Sequence, residues 1–349
     1  MKILLLPGDG IGPEIARATH HVLERLSSVF RLDLSIETGP IGLDALPTWG
    51  TTLPDAVRAK ARLVDGIILA PLSTYAYPPP DRGGVNASAE FRTGLDLYAN
   101  IRPCVTRIPT RHPAADLVVV RENTEGFYAS RAMHQGAGEF MPDPHSAFAL
   151  RKITAHASMR IAREAFALAR ARRRKVTAVH KANVLKLSDG LFLESVRAIA
   201  RENPDVELEE MLVDAVAAVL VRDPARFDVL VTTNMFGDIL SNQAAEIAGG
   251  LGLAPSLNAG DDAAMAQAAH GSAPDIAGRD IANPTGLVLS AAMLLDWLGR
   301  RRDQHVLCEA AARLEAAVAE TLSNPRTRTP DIGGTLGTSA VASAIAAAI

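Results

Sequence analysis

Short aliphatic runs recur down this chain, each followed by a longer stretch with helical periodicity, and that alternation narrows the fold more than any other feature. Lys2–Leu6 reads as a buried strand, a glycine-rich loop follows from Pro7 to Glu14, and apolar residues at Ile15, Val22, Leu23 and Leu26 then mark a helix. Leu32–Ile36, Gly66–Ala70, Leu117–Val120, Lys175–Val179 and Val229–Thr232 are further strand candidates. Helical segments are expected at Thr154–Arg173, Gly190–Glu202, Gly237–Gly249, Thr285–Leu298 and Val306–Leu322. Strands separated by helices are the pattern of an α/β protein. The 349 residues amount to about two domains at ~150 residues each. No repeat or low-complexity linker divides them, so the two domains are expected to be interleaved or tightly joined.

Composition bounds the function classes. Hydrophobic residues make up 48% of the chain but aromatics only 4%, so the core must be aliphatic and Ala-packed. Lys and Arg total 36 against 39 Asp and Glu, a formal net charge of −3. That balance lacks the positive excess on which nonspecific nucleic-acid binding depends, and no nucleic-acid partner is expected. Cys104 and Cys308 cannot build a disulfide framework, and no Cys-x-x-Cys spacing offers a zinc site. The apolar run at the N-terminus stops at Pro7, short of a secretory signal, and no run approaches a membrane span. A soluble, cytoplasmic protein is the expectation.

The loop Gly8-Asp-Gly-Ile-Gly-Pro13 invites comparison with the dinucleotide fingerprint G-x-G-x-x-G, but Pro13 occupies the third glycine position. A Rossmann fold is rejected on that ground. Asp238 and Asn242 stand four residues apart, on one face of a helix, with oxygen donors of the kind hard divalent cations prefer. Such a pair is more often a solvated helix face. Asp214 is either a further ligand or a capping residue. Arg92, Arg102 and Arg121 lie beside apolar or aromatic residues, and Arg121 closes a Val-rich strand at the end where open α/β sheets bind ligands. Converging guanidinium forks would suit a polycarboxylate; the alternative is three surface ion pairs. The basic run Arg170–Lys175 closes a helix and reads as dipole compensation rather than a nucleic-acid site. No His-x-x-x-His spacing, Gly-x-Ser-x-Gly elbow or Walker loop is present.

Six ordered motifs, spanning nearly the whole chain, together resemble the β-decarboxylating dehydrogenases, the isocitrate, homoisocitrate and isopropylmalate dehydrogenase family. They are Leu6-Pro-Gly-Asp-Gly-Ile-Gly-Pro-Glu14, Leu95-Asp-Leu-Tyr-Ala-Asn-Ile-Arg-Pro103, Val120-Arg-Glu-Asn-Thr-Glu-Gly-Phe-Tyr128, His180-Lys-Ala-Asn-Val-Leu185, Phe236-Gly-Asp-Ile-Leu-Ser241, and His270-Gly-Ser-Ala-Pro-Asp-Ile-Ala-Gly278 with Asn283-Pro-Thr285. The resemblance implies a two-domain α/β fold with a mixed sheet, distinct from the Rossmann fold, around a cleft. Residues 1–98 and 249–349 would form a large cofactor-binding domain. Residues 99–248 would form a smaller substrate and dimerisation domain, with an intersubunit arm near 129–150.

The same resemblance implies roles. Arg92, Arg102 and Arg121 would clamp substrate carboxylates. Asp238, with Asn242, would hold Mg²⁺ or Mn²⁺ in its own subunit, while Asp214 and Lys181 would reach in from the partner of a homodimer with shared active sites. Lys181 would take the hydroxyl proton as hydride leaves for the nicotinamide, and Tyr128 would protonate the enol after CO₂ is lost. His270, Gly271, Ser272, Ala273, Asp275 and Asn283 would bind the cofactor. Asp275 would accept hydrogen bonds from ribose hydroxyls and repel a 2′-phosphate, which favours NAD.

Two positions depart from the family pattern: Asn242 where a second aspartate is usual, and Gln267 where glutamate is usual. The first removes a negative charge from the metal site and should weaken metal binding. Before Arg92, the leucines of isopropylmalate enzymes are replaced by Ser88 and Ala89, so an apolar γ-substituent is disfavoured. Asn86 and Ser88 supply, in reversed order, the residue types of isocitrate enzymes. A polar γ-group, most simply a third carboxylate, fits best, although Glu90 adds a negative charge nearby. Homoisocitrate, isopropylmalate, malate and tartrate remain alternative substrates, and a catalytically silent regulatory subunit is the alternative function.

Overall fold

The computed structural model describes residues 1–128 and 138–349. Among the described residues the strands run, in chain order, β1 (Lys2–Leu6), β2 (Ser35–Thr38), β3 (Gly66–Leu69), β4 (Ala99–Val105), β5 (Asp116–Glu122), β6 (Glu139–Asp143), β7 (Ser146–Ala149), β8 (Lys175–His180), β9 (Glu207–Leu212), β10 (Val229–Thr232), β11 (Leu257–Ala259) and β12 (Ala264–Ala266). The chain divides into two compact units, Met1–Leu95 with Gly249–Ile349, and Asp96–Ala248.

In the first unit the strands lie in the order β2-β1-β3-β12-β11, parallel except for the β11–β12 pair. The helix Gly12–Phe30 buries Ile15, Ala18, Val22, Leu23 and Leu26, the stripe its periodicity announces. It packs on Thr285–Arg301 and Thr338–Ala348, and Thr285–Arg301 packs in turn on His305–Ser323. The second strand starts later than the apolar pattern suggests. Arg31 adopts a left-handed φ of 51° and Leu32 N–H bonds back to the Ser27 carbonyl at 2.9 Å, so residues 31 and 32 finish the helix.

In the second unit the order is β4-β5-β10-β8-β9, with β4 antiparallel to β5 and the rest parallel. Both units are therefore mixed α/β layers. Leu117 and Val119 of β5 join Cys104, Val216, Leu220, Leu240 and Ala244 in one aliphatic cluster under the helices Val213–Arg222 and Asn234–Ile247. Val118 and Val120 are equally buried but point to the opposite side, as the two-residue period of a strand requires. The helix Ala155–Arg170 begins at its cap Thr154 and packs on β5, β8 and β10. The basic run after it is spent on ion pairs: Arg170 with Asp205, and Arg172 and Arg173 with Asp116 and Asp228.

The first part of the expected arm, residues 129–137, lies outside the described residues. Past it, β6 and β7 form a separate antiparallel hairpin whose exposed Phe140 and Phe148 stack at 5.3 Å.

Candidate active site

The antiparallel β4–β5 pair sets two arginines side by side. Arg102 lies opposite Val119, and Arg121 lies opposite Asn100. Two residues past Val119, Arg121 is therefore the diagonal neighbour of Arg102 on the same face of the sheet. Both are buried. Arg102 donates from Nε to Asn100 Oδ1 at 2.5 Å and from Nη1 to Ser241 Oγ at 2.8 Å. Arg121 donates from Nε and Nη2 to Asn234 Oδ1 at 2.9 and 2.6 Å.

The helix Asn234–Ile247 closes over this platform and supplies its anion. Gly237 makes the approach possible: a Cβ there would stand 2.6 Å from Arg121 Cβ. One residue further on, Asp238 Oδ1 receives Arg121 Nη1 at 2.5 Å and lies 3.3 Å from Arg102 Nη1. Asn242 Oδ1 accepts from Arg102 at 3.4 Å. The Arg121 side chain is 4% exposed and that of Asp238 31%. Burial pulls the Arg102 pKa down to about 10, helped by the neighbouring Arg121 charge and opposed by Asp238; burial lowers Arg121 likewise. Both stay cationic at neutral pH. Among the described residues Asp238 is the one carboxylate in an ion pair with them, so the pair of guanidiniums meets one carboxylate.

Lys181 and Asp214 form a second group. Lys181 follows β8 and Asp214 opens the helix after β9, and their side chains meet at 2.8 Å, 26% and 64% exposed. The hydrogen bond from Lys181 holds the Asp214 carboxyl below the ordinary carboxylate range. Strand β10 separates β5 from β8, which sets Arg121 and Val179, two residues before Lys181, about 10 Å apart across the sheet. Among the described residues Asp214 is paired with Lys181, and Asp238 with Arg102 and Arg121. Tyr128 is 52% exposed, with the Arg121 guanidinium 5.8 Å from its ring centre.

Several supporting residues escape sequence reasoning. Asp189 is fully buried; its Oδ1 pairs with Arg151 at 2.5 Å and its Oδ2 receives the backbone N–H of Lys181 at 2.5 Å. Arg151 also reaches Thr233 Oγ1 at 3.0 Å, just before the Asp238 helix, and packs over the rings of Phe127 and Phe236. No local pattern marks Asp189 or Arg151. Asn234 could have been found, since it precedes Asp238 by four residues and extends the Asp238–Asn242 face by one turn.

In the first unit Asn86 caps the helix Ala87–Gly94, its Oδ1 accepting from Ala89 N at 3.2 Å. Ser88 and Arg92 of that helix both donate to Gln267 Oε1, at 2.9 and 3.3 Å. The glycine-rich loop braces the His270 loop: Ile11 N bonds to Ser272 O at 2.8 Å, and a Cβ on Gly10 would stand 2.0 Å from that oxygen. Ser272 Oγ receives Ser73 Oγ at 2.7 Å, and Asp9 accepts from Leu43 N, Ser73 N and Tyr77 Oη. Asn283 bonds to Thr285 N at 3.0 Å and Asp331 Oδ2 at 3.1 Å. Gly271 and Asp275 are exposed, and Ala273 takes a left-handed φ of 36°.

Donor chemistry tests the implied groups. His270 Nε2 is buried without a protein partner, and burial holds the ring's pKa below its usual value. An orphaned ring nitrogen beside an exposed carboxylate and a bare Gly271 suits a nucleotide. Asp238 and Asn242 offer hard oxygens one turn apart, which suit Mg²⁺ or Mn²⁺. Among the described residues, no group of three or more His, Cys, Asp or Glu gathers in one place.

The family model for isocitrate/isopropylmalate dehydrogenase matches residues 2–347. The 3-isopropylmalate dehydrogenase of Saccharolobus solfataricus is 40% identical over 335 residues, 95% of each chain. The isocitrate/homoisocitrate dehydrogenase of Thermus thermophilus is 42% identical over 350 residues, 100% of this chain and 98% of its own. The crystal structure of isocitrate dehydrogenase from Methylococcus capsulatus superposes with a TM-score of 0.88 at 42% identity, covering 99% of this chain and 98% of its own. The chain belongs to the isocitrate/isopropylmalate dehydrogenase family, the β-decarboxylating dehydrogenases. Members of that family use a divalent metal and NAD or NADP.

Proposed function

We propose that this protein catalyses the NAD-dependent oxidative decarboxylation of a 2-hydroxy acid that bears a β-carboxylate and a polar γ-substituent, as isocitrate does. The observation that carries the reading is the buried Arg102–Arg121–Asp238 cluster, two guanidiniums against one carboxylate. A substrate carboxylate entering there meets forked donors already held by Asn100, Asn234 and Ser241, so little orientation remains to be fixed. Arg92 would add the third guanidinium. When bound, Mg²⁺ or Mn²⁺ supplies Lewis acidity and NAD accepts hydride. Asp238 and Asn242 would hold the metal, with Asp214 of the partner subunit. Asp275, His270 and the loop Gly271–Ala273 would hold the nucleotide, with Asn283 beside it.

The acid–base work falls to Lys181 and Tyr128. Lys181 Nζ, now paired with Asp214, accepts the substrate hydroxyl proton as the neutral amine, after its own proton has passed to solvent. Tyr128 delivers a proton from its phenol after CO₂ leaves, and its exposed ring can reach a neighbouring substrate. The exposed Lys181–Asp214 pair supports a homodimer in which each chain completes its partner's site. The exposed apolar residues Val184, Leu187, Val221 and Ile239 of the same unit suit that contact. The cytoplasm suits two cysteines that are both free. No helix among the described residues is long and apolar enough to cross a membrane.

Asn242 and Gln267 favour one second reading, a catalytically silent subunit. Assay of NADH and NADPH formation with Mn²⁺ on isocitrate, homoisocitrate, isopropylmalate, malate and tartrate decides between them. Turnover of isocitrate with NAD is the expected result. No turnover of any of the five despite NADH binding would leave the silent subunit. Preference for NADP would overturn the Asp275 argument, and preference for isopropylmalate the argument from Ser88 and Ala89.

A further inference from the structure

Lys181 leaves strand β8 at a bend where both of its backbone groups are held. Its carbonyl accepts Val184 N at 2.9 Å and Leu185 N at 2.8 Å, and its N–H donates to Asp189 Oδ2 at 2.5 Å. Asp189 lies in the first turn of the helix Ser188–Glu202, where the helix dipole favours a carboxylate. Its second oxygen, Oδ1, receives Arg151 Nη1 at 2.5 Å, and the Arg151 and Asp189 side chains are 7% and 1% exposed. The same guanidinium donates to Ser188 Oγ at 2.8 Å and Thr233 Oγ1 at 3.0 Å, and lies over the rings of Phe127 and Phe236. Phe127 immediately precedes Tyr128. Thr233 stands at the N-cap of the helix Asn234–Ile247, and Phe236 lies in its first turn, just ahead of Asp238. One buried ion pair therefore touches the segments that carry Lys181, Tyr128 and Asp238.

A buried ion pair is a weak source of stability, since desolvation consumes most of its Coulombic gain and apolar residues of equal volume often do as well. What the pair supplies here is direction. Each Asp189 oxygen serves a different donor, so the carboxylate cannot turn without releasing either Arg151 or the Lys181 backbone. We propose that Asp189 and Arg151 are positioning residues: Asp189 fixes the main chain from which Lys181 extends, and Arg151 ties that point to the Tyr128 and Asp238 segments. This rests on the reading above, in which Lys181 takes the substrate hydroxyl proton. With the main chain pinned, only the side-chain torsions of Lys181 remain free, and the 2.8 Å contact with Asp214 sets them in the absence of substrate. Proton transfer demands such placement, because moving a reacting group by about 1 Å costs on the order of 100-fold in rate. Neither residue touches substrate in this scheme; both act through the residues they hold.

The test uses the full-length protein with Mn²⁺, the acid of the five above that it turns over fastest and the nucleotide it prefers. Asp189→Asn keeps the shape of the side chain but replaces one acceptor oxygen by a donor. It should lower kcat about tenfold or more and leave KM for the acid within about threefold. The solvent deuterium isotope effect on kcat should rise, because proton transfer becomes the slower step. In a Lys181→Ala background the same substitution should cost less than about threefold, since no amine is left to place. Arg151→Lys keeps a cation beside Asp189 and loses the fork. It should show the kcat loss and the raised isotope effect at smaller size, and it carries the test if Asp189→Asn does not fold. Three results would overturn the inference alone: a kcat unchanged in both variants, an Asp189→Asn loss undiminished in the Lys181→Ala background, or a fall in kcat with an unchanged isotope effect, the mark of fewer folded molecules. A wild type that turns over none of the five acids would overturn the enzymatic reading and the inference with it.

Discussion

The arginine cluster around Asp238 and the Lys181–Asp214 pair sit at the same end of one sheet, yet they are built in opposite ways. Arg102 and Arg121 are buried and locked by Asn100, Asn234 and Ser241 before any ligand arrives. Lys181 and Asp214 form a single contact at the surface, with Asp214 64% exposed. A preorganised cluster is what carboxylate recognition needs, because its donors pay no reorganisation when charge arrives. An open pair is what the proposed homodimer would complete. The backbone of Lys181 is nevertheless firmly held, by the buried Asp189–Arg151 pair that also reaches Thr233 beside the Asp238 helix.

The sharpest way to break this comparison is to remove the open pair. Lys181→Ala should lower kcat by about 10³-fold, the scale of a lost general base, while thermal unfolding and dimer mass stay unchanged. Refolding Lys181→Ala together with Asp238→Asn, each inactive alone, should restore activity at about one site in four if the sites are shared between subunits. No recovery would place Lys181 and Asp238 in the same chain's site.

Removing a member of the buried cluster should act on the fold as well. Arg121→Ala leaves Asp238 and Asn234 without their main partner and should lower stability by about 3 kcal/mol, read as a drop in denaturant midpoint. Unchanged stability would mean that the cluster serves binding alone.

A gentler probe is Cys104, whose Sγ lies 3.8 Å from Ser241 O. Burial pushes its thiol up to about 12, so at neutral pH it stays protonated and resists disulfide reagents. Labelling of Cys104 should speed up in Arg121→Ala and stay slow in Lys181→Ala. Equal rates in both would erase the contrast between the two regions.

The smallest effect concerns His180, next to Lys181. Burial holds its pKa below the usual imidazole value, against the attraction of Glu210 and Asp189 and with the help of Arg197. Its Nδ1 accepts from Ala182 N at 3.1 Å, which requires an unprotonated nitrogen. Since the unfolded chain binds the proton first, stability should be full above about pH 6.5 and decline as pH falls through the depressed folded value. His180→Gln should flatten that slope in melts taken between pH 7 and 5. An unchanged slope would remove His180 from the account.

Much of this was legible in advance. The strand Val229–Thr232 and the helical stripe through Ile15, Val22 and Leu26 follow from periodicity alone, because one buried face imposes its period on the sequence. Strand β4 was not legible, since Arg102 and Pro103 interrupt its apolar run, nor was β9, an edge strand whose glutamates answer arginines from elsewhere. At the candidate site, the i, i+4 spacing of Asp238 and Asn242 and the strand-end position of Arg121 pointed to the elements that carry the buried cluster. The residues that brace them, Asp189 and Arg151, carry no spacing signal, because their partners lie 38 positions apart in the chain.

The sequence by itself determined the alternation of strands and helices, the family, and the residue types available for binding carboxylates and moving protons, since these follow from local period and from ordered motifs. Only the tertiary structure decided what each residue is engaged with. It made the glycine-rich loop a brace for the His270 loop, turned the Gln267 amide by setting it between two donors, and buried Arg121 against Gly237. Hydrogen-bond direction and burial are properties of neighbours brought together by folding, and no local spacing encodes them.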